Sequence, residues 1–105
     1  MTTFLLAYHG GGVPDSAEEE ARQMGAWSAW YEGLGDAVID AGNPIGRRTT
    51  ILADGSVTDD GTADPVSGFT IVEAGDMEAA IEMARGCPIL ASGGRIEIGE
   101  TFEAM

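Results

Sequence analysis

The chain has 105 residues, room for one domain with a modest core, and carries 18 Asp and Glu against five arginines and no lysine, a formal net charge of −13. A field of that sign repels phosphate backbones and anionic lipid, which speaks against nucleic-acid binding and against a basic membrane-surface patch. The missing lysines remove Schiff-base chemistry and the P-loop lysine, and the lone Cys87 removes an internal disulfide and a cysteine-built zinc site.

Phe4 to Tyr8 is apolar on both alternating faces, as in a strand with something packed on each side. The run is too short for a signal peptide or a membrane span and has no basic segment before it, so a cytoplasmic location is expected. His9 leads into a loop, Gly10-Gly11-Gly12-Val13-Pro14. Ser16-Ala17-Glu18-Glu19 reads as a capping box, Ser16 the N-cap and Glu19 reaching back, and three successive glutamates suit the positive end of a helix dipole. The helix is expected to run to Gly42, with Ala17, Ala21, Met24, Ser28, Tyr31, Leu34, Val38 and Ala41 on its inward stripe. Gly25, Gly33 and Gly35 each weaken such a helix by ~1 kcal/mol relative to alanine, which close approach of another backbone would offset.

Thr49 to Ala53 and Ser56 to Thr58 flank Asp54-Gly55, a strong hairpin signal of the type I′ kind. A polar loop from Asp59 to Ser67 precedes Gly68-Phe69-Thr70-Ile71-Val72, a second strand apolar enough to be central. Asp76 caps a second helix with Met77, Ala80, Ile81 and Ala84 inward, Arg85 against its C-terminal dipole and Gly86 at its end. Arg95 to Glu100 alternates cleanly and reads as an edge strand. Residues 1–105 thus form a single domain of α+β class: a ferredoxin-like β-α-β-β-α-β chain with an antiparallel four-stranded sheet plus a small hairpin. Two helices cover one face of such a sheet. Both inner strands want cover on two, and a second copy of the same sheet is the simplest supply, so a homodimer is expected.

Short motifs exclude more than they assign. His9-Gly10-Gly11-Gly12 matches an oxyanion-loop string, but no serine lies in a Gly-x-Ser-x-Gly elbow. A dinucleotide fingerprint fails because Asp15 stands where its third glycine belongs. Asp54 to Pro65 starts like a calcium loop but has Asp59 at the turn glycine and Pro65 at the bidentate glutamate, leaving only weak adhesion by Asp59, Asp60 and Asp64. One histidine rules out a multi-histidine metal centre, and neither a metal nor another cofactor is expected. His9 is the group that titrates near neutrality without help, at a strand end where catalytic bases gather. Trp27, Trp30 and Tyr31 are not expected to share one face: Tyr31 joins the core while a tryptophan caps the dimer edge or a pocket mouth, or these aromatics line a ligand cleft with Tyr8. Cys87 follows a helix C-terminus, whose negative dipole raises its pKa and argues against a reactive thiolate.

Several strings taken together resemble a known family. Gly68 to Ala74, Glu78-Ala79-Ala80, Ala84-Arg85-Gly86-Cys87-Pro88 and Gly93 to Ile98, with Phe4 to Tyr8 and Gly42-Asn43-Pro44, look like the YCII-related family in its DGPF-type branch. The resemblance implies a dimeric α+β barrel. The branch's Asp-Gly-Pro-Phe string appears as Asp60-Gly61 followed by Thr62 and Ala63. The histidine that some members carry on the first helix has no counterpart in Met24 to Trp27, and Cys87 replaces their aspartate before the proline. The family's proposed catalytic His–Asp pair is therefore absent, and its activity does not carry over.

Two functions fit these residues. One is a homodimer binding a small molecule or a protein partner in a cleft of the barrel, without nucleic acid or membrane. The other is a cofactor-free enzyme on a small, aromatic substrate, with His9 as general base and Trp27 or Trp30 packing the ligand.

Overall fold

The computed structural model describes residues 1–59 and 64–104. Its elements are β1 (Thr2–His9), α1 (Ala17–Leu34), a 3₁₀ turn (Gly35–Ala37), β2 (Val38–Asp40), β3 (Thr50–Ile51), β4 (Val57–Thr58), β5 (Val66–Ala74), α2 (Met77–Arg85), α3 (Pro88–Ala91) and β6 (Arg95–Glu100). The main sheet has the order β2-β5-β1-β6 with every pair antiparallel, and β3 and β4 form a separate hairpin. This is the expected ferredoxin-like α+β arrangement.

Alternation along the two central strands decides which residues become core. Phe4, Leu6 and Tyr8 of β1 and Gly68, Thr70, Val72 and Ala74 of β5 are buried. Trp27, Trp30 and Leu34 of α1, and Met77 and Met83 of α2, pack against this layer. Asp76 caps α2 by accepting from the Ala79 amide at 2.9 Å, and Ala80 and Ala84 turn inward as the spacing required. Residues of the opposite parity, Leu5 and Ala7 on β1 and Phe69 and Ile71 on β5, lie on the other face, where Leu5 is 39% exposed.

The first helix is shorter than its periodicity suggests. It stops at Leu34, where Gly35 takes φ +57° and donates its amide to the Tyr31 carbonyl. Val38–Asp40, read from sequence as helix, is instead the edge strand beside β5, so Val38 and Ala41 leave the helical stripe. That stripe is also rotated: Gln23, Trp27, Trp30, Tyr31 and Leu34 turn inward, whereas Ala17, Ala21, Ser28 and Met24 are exposed. The three aromatics do share one face, since positions i, i+3 and i+4 are neighbours on a helix. Among the described residues nothing approaches Gly25, Gly33 or Gly35, so backbone contact there does not offset their helical cost. The capping box is half made: Ser16 Oγ accepts from the Glu19 amide at 3.1 Å, but the Glu19 carboxylate pairs with Arg22.

The hairpin forms where expected with a different turn. Gly55 has a positive φ and Asp54 does not, which excludes type I′. The Gly55 amide donates to Leu52 O and the Leu52 amide to Ser56 O, giving a three-residue loop with its glycine in the left-handed position. The Asp60-Gly61-Thr62-Ala63 string, and with it part of the weak calcium loop, lies outside the described residues.

Gly42 carries a constraint that only glycine meets. Its φ is +72°, and a Cβ there would stand 1.8 Å from the Phe69 carbonyl oxygen of β5. Gly42→Ala should therefore cost at least about 2 kcal/mol in urea unfolding. Gly33→Ala, where a Cβ meets nothing, should stabilise by roughly 0.5–1 kcal/mol. Equal effects at the two sites would contradict this packing.

Candidate functional site

The sequence-predicted residues separate onto the two faces of the sheet. Tyr8 points to the helices, where its ring lies 5.3 Å from that of Trp27 in an edge-on contact. Trp27, Trp30 and Tyr31 close the group with centroid separations of 5.1–5.9 Å. The polar atoms of Tyr8, Trp30 and Tyr31 bond within the chain. Trp30 Nε1 donates to Met83 O at 3.0 Å; Tyr8 OH donates to Thr70 Oγ1 at 2.7 Å; Thr70 Oγ1 donates to Ala41 O at 2.9 Å; and Tyr31 OH donates to the same carbonyl at 3.1 Å. The four aromatics are brought together, but in the layer that joins α1 to the sheet.

His9 lies on the opposite face. A register shift between Tyr8 and His9 places it opposite Val66 of β5 and Arg95 of β6. The loop that follows is tied down where the Gly12 amide donates to Ser92 O at 3.0 Å. The residue is 8% exposed, and neither ring nitrogen has a hydrogen bond among the described residues. Two carboxylates stand just beyond bonding distance: Asp64 Oδ1 is 3.6 Å from Nδ1, and Glu97 Oε1 is 3.4 Å from Nε2. Asp64 is itself held by Arg95, whose Nη1 donates to Oδ1 at 2.9 Å and whose Nη2 pairs with Oδ2.

The result is a line of groups, Arg95–Asp64–His9–Glu97, at one end of the sheet's open face. A histidine between an anchored carboxylate and an exposed one can take a proton on one nitrogen while the other is oriented, the division of labour in Asp–His catalysis. Sequence reasoning saw no positioned partner for His9 and considered Asp64 only for calcium. Glu97 was missed as well, although its place two residues past Arg95 on an alternating strand could have shown it; Asp64 reaches the site by loop folding, which no spacing reports. Because Trp27 and Trp30 lie beyond the sheet, the chain does not by itself bring them and His9 to one ligand.

A separate open cleft of ≈ 450 Å³ lies between the N-terminal half of α1 and α3, lined by Asp15, Glu19, Arg22, Gln23, Pro88 and Ser92 among others. It contains none of the predicted site residues. Among the described residues no cluster of His, Cys, Asp and Glu could hold a metal ion, and no helix is long and apolar enough to cross a membrane. Burial pushes the Cys87 thiol up, in the direction expected, but the larger cause is desolvation and not the helix dipole.

The model of the YCII-related domain matches residues 1–103, and the chain belongs to that family. Among solved structures it is similar to 5-chloro-2-hydroxyhydroquinone dehydrochlorinase (TftG) from Burkholderia phenoliruptrix AC1100, determined in complex with 2,5-dihydroxybenzoquinone. The TM-score is 0.54 at 23% identity, over 96% of this chain and 93% of that one. At that identity the likeness concerns the fold. No curated protein matches the chain.

Burial also pushes the Tyr8 phenol far above its usual range. A pKa raised in the folded state adds stability that is complete below the unfolded value of about 10 and is lost as pH rises beyond it. Chemical unfolding should therefore show stability falling above about pH 10, and Tyr8→Phe should flatten that fall while costing about 1 kcal/mol at neutral pH through the lost bond to Thr70. An unchanged alkaline limb in the variant would place its cause elsewhere.

Proposed function

We propose that this YCII-related chain is a homodimeric, cofactor-free protein that binds a small molecule on the open sheet face, with His9 as general base toward it. The observation that carries the reading is the His9 ring, enclosed and without a hydrogen bond among the described residues, with Asp64 facing one nitrogen and Glu97 the other. Arg95 fixes Asp64, so that once a ligand is bound Asp64 orients His9 by accepting from Nδ1–H and leaves the Nε2 lone pair as the base. Glu97 is three-quarters exposed and free to swing aside, ceding Nε2 to a ligand hydroxyl. The proton taken there makes an imidazolium that the two carboxylates stabilise. Separations of 3.4 and 3.6 Å in the empty protein suit a dyad that tightens once ligand is bound.

The dimer rests on the sheet's uncovered side. Leu5, exposed, and Ala7, Phe69 and Ile71, half-buried, form an apolar patch over which no helix lies among the described residues, and a twofold-related copy offers the same patch in return. Stacking two such sheets encloses the His9 ends and excludes water from them. The hydroxylated quinone bound by TftG supports a small aromatic as the ligand class. A second reading, binding without turnover, draws on the cleft between α1 and α3, which has room for a small molecule but no group that titrates near neutrality.

The two readings separate by chemical-shift mapping with 2,5-dihydroxybenzoquinone and simple hydroxylated aromatics as probes. General-base function predicts shifts at His9, Ala7 and Glu97. His9→Gln should change stability by less than about 1 kcal/mol, because no hydrogen bond is lost, and should lower turnover of a responding probe at least about 100-fold. Shifts confined to Asp15, Gln23 and Ser92 with His9 silent would favour the second reading and overturn the first.

A further inference from the structure

The β3–β4 hairpin leaves apolar side chains exposed among the described residues. Ile51 and Val57 are directly opposed across its two strands and share one side, yet they are 70% and 59% exposed, and Leu52 beside them is 45% exposed. The hairpin is nevertheless well made. Asp54 Oδ1 accepts from the amide and hydroxyl of Ser56 at 2.9 and 2.7 Å, and Thr49 Oγ1 donates to Thr58 O at 2.9 Å. Its root is fixed to the main sheet: the Ile45 amide donates to Ser67 O at 3.0 Å, and Arg48 Nη1 lies 3.3 and 3.2 Å from Ile45 O and Val66 O. Val66 is the register partner of His9, so the root stands at the His9 end of the sheet. Two-stranded hairpins are marginal in water alone, and an anchored one with a bare aliphatic side requires a surface to pack on.

Two global quantities indicate how much surface is missing. The Cα radius of gyration is 15.2 Å, against about 13 Å for a compact domain of this length. The accessible surface is 7081 Å², against about 5,600 Å² for a compact monomer of 10.9 kDa. The difference, about 1,500 Å², comfortably exceeds the roughly 800 Å² that each partner buries in a standard specific interface.

We infer that the β3–β4 hairpin is an arm that packs its Ile51–Val57 side on a second copy of this chain, each protomer clasping the other beside the stacked sheets. The inference rests on the homodimer proposed above and adds its second contact. A twofold axis makes the occupant self-consistent, because each copy lacks the same two covers, one for the sheet face and one for the arm. In a chain of net charge −13, two copies repel, so apolar contact has to hold them.

Sedimentation equilibrium on the wild-type chain and on the double variant Ile51→Ser, Val57→Ser tests it. Wild type should be a dimer, and the variant's dissociation constant should rise roughly tenfold or more with its far-ultraviolet circular dichroism unchanged. In dimers mixed from labelled and unlabelled wild-type chains, the Ile51 and Val57 methyls should show intermolecular nuclear Overhauser contacts. This measurement decides the matter if the variant folds poorly. A dimer of equal affinity in the variant, or arm methyls with intramolecular contacts only, overturns the arm and leaves the homodimer standing. A monomeric wild type overturns the homodimer itself, and the arm with it.

Discussion

Strand alternation in β1 and β5 is the constraint from which the rest of this protein follows. Once Phe4, Leu6, Thr70 and Val72 are committed to the helix layer, the two-residue period sends Leu5, Ala7, Phe69 and Ile71 to the other side. With α1 and α2 on one face, no helix among the described residues covers the other. The same alternation, adjusted by the irregularity after Tyr8, separates two neighbouring residues of interest. Tyr8 goes into the aromatic layer and His9 toward Asp64 and Glu97.

That separation assigns different work to groups a linear reading would combine. In the aromatic layer Tyr8, Trp30 and Tyr31 are bonded within the protein, and Thr70, fully buried, is matched by Tyr8 and the Ala41 carbonyl. The His9 line is the reverse, with an enclosed ring whose nitrogens have no hydrogen-bond partner among the described residues although carboxylates stand near. Internal satisfaction describes a core, whereas unmet capacity beside anchored charge describes a place where a ligand or a proton can be accommodated.

Much of the fold was legible because it depends on local signals that tertiary packing did not overrule. The two central strands, the second helix with its Asp76 cap, the hairpin and the edge strand at Arg95 all stand where hydrophobic period and turn residues put them. The last third of the first helix misled because Val38 and Ala41 continue a helical spacing by coincidence, while Gly35 provides the stop and β5 offers Val38 an edge to pair with. The helical stripe misled because Ala17, Ala21 and Met24 fit a period without being needed to fill space, whereas the bulk of Trp27, Trp30 and Tyr31 set the helix rotation. Of the site, His9 was legible from its type and strand-end position. Asp64 was not, because a long-range pair through Arg95 leaves no trace in spacing.

The central claim is that the apolar side of the sheet is covered in solution by a second copy. Hydroxyl-radical footprinting across a dilution series tests it directly, with Phe102, 82% exposed at the C-terminal end of the chain, as an internal reference. The account predicts that Leu5, Phe69 and Ile71 are protected at micromolar concentration and gain reactivity together, at a single midpoint, as the protein is diluted while Phe102 stays constant. Reactivity at Leu5, Phe69 and Ile71 that is high and independent of concentration throughout would contradict it.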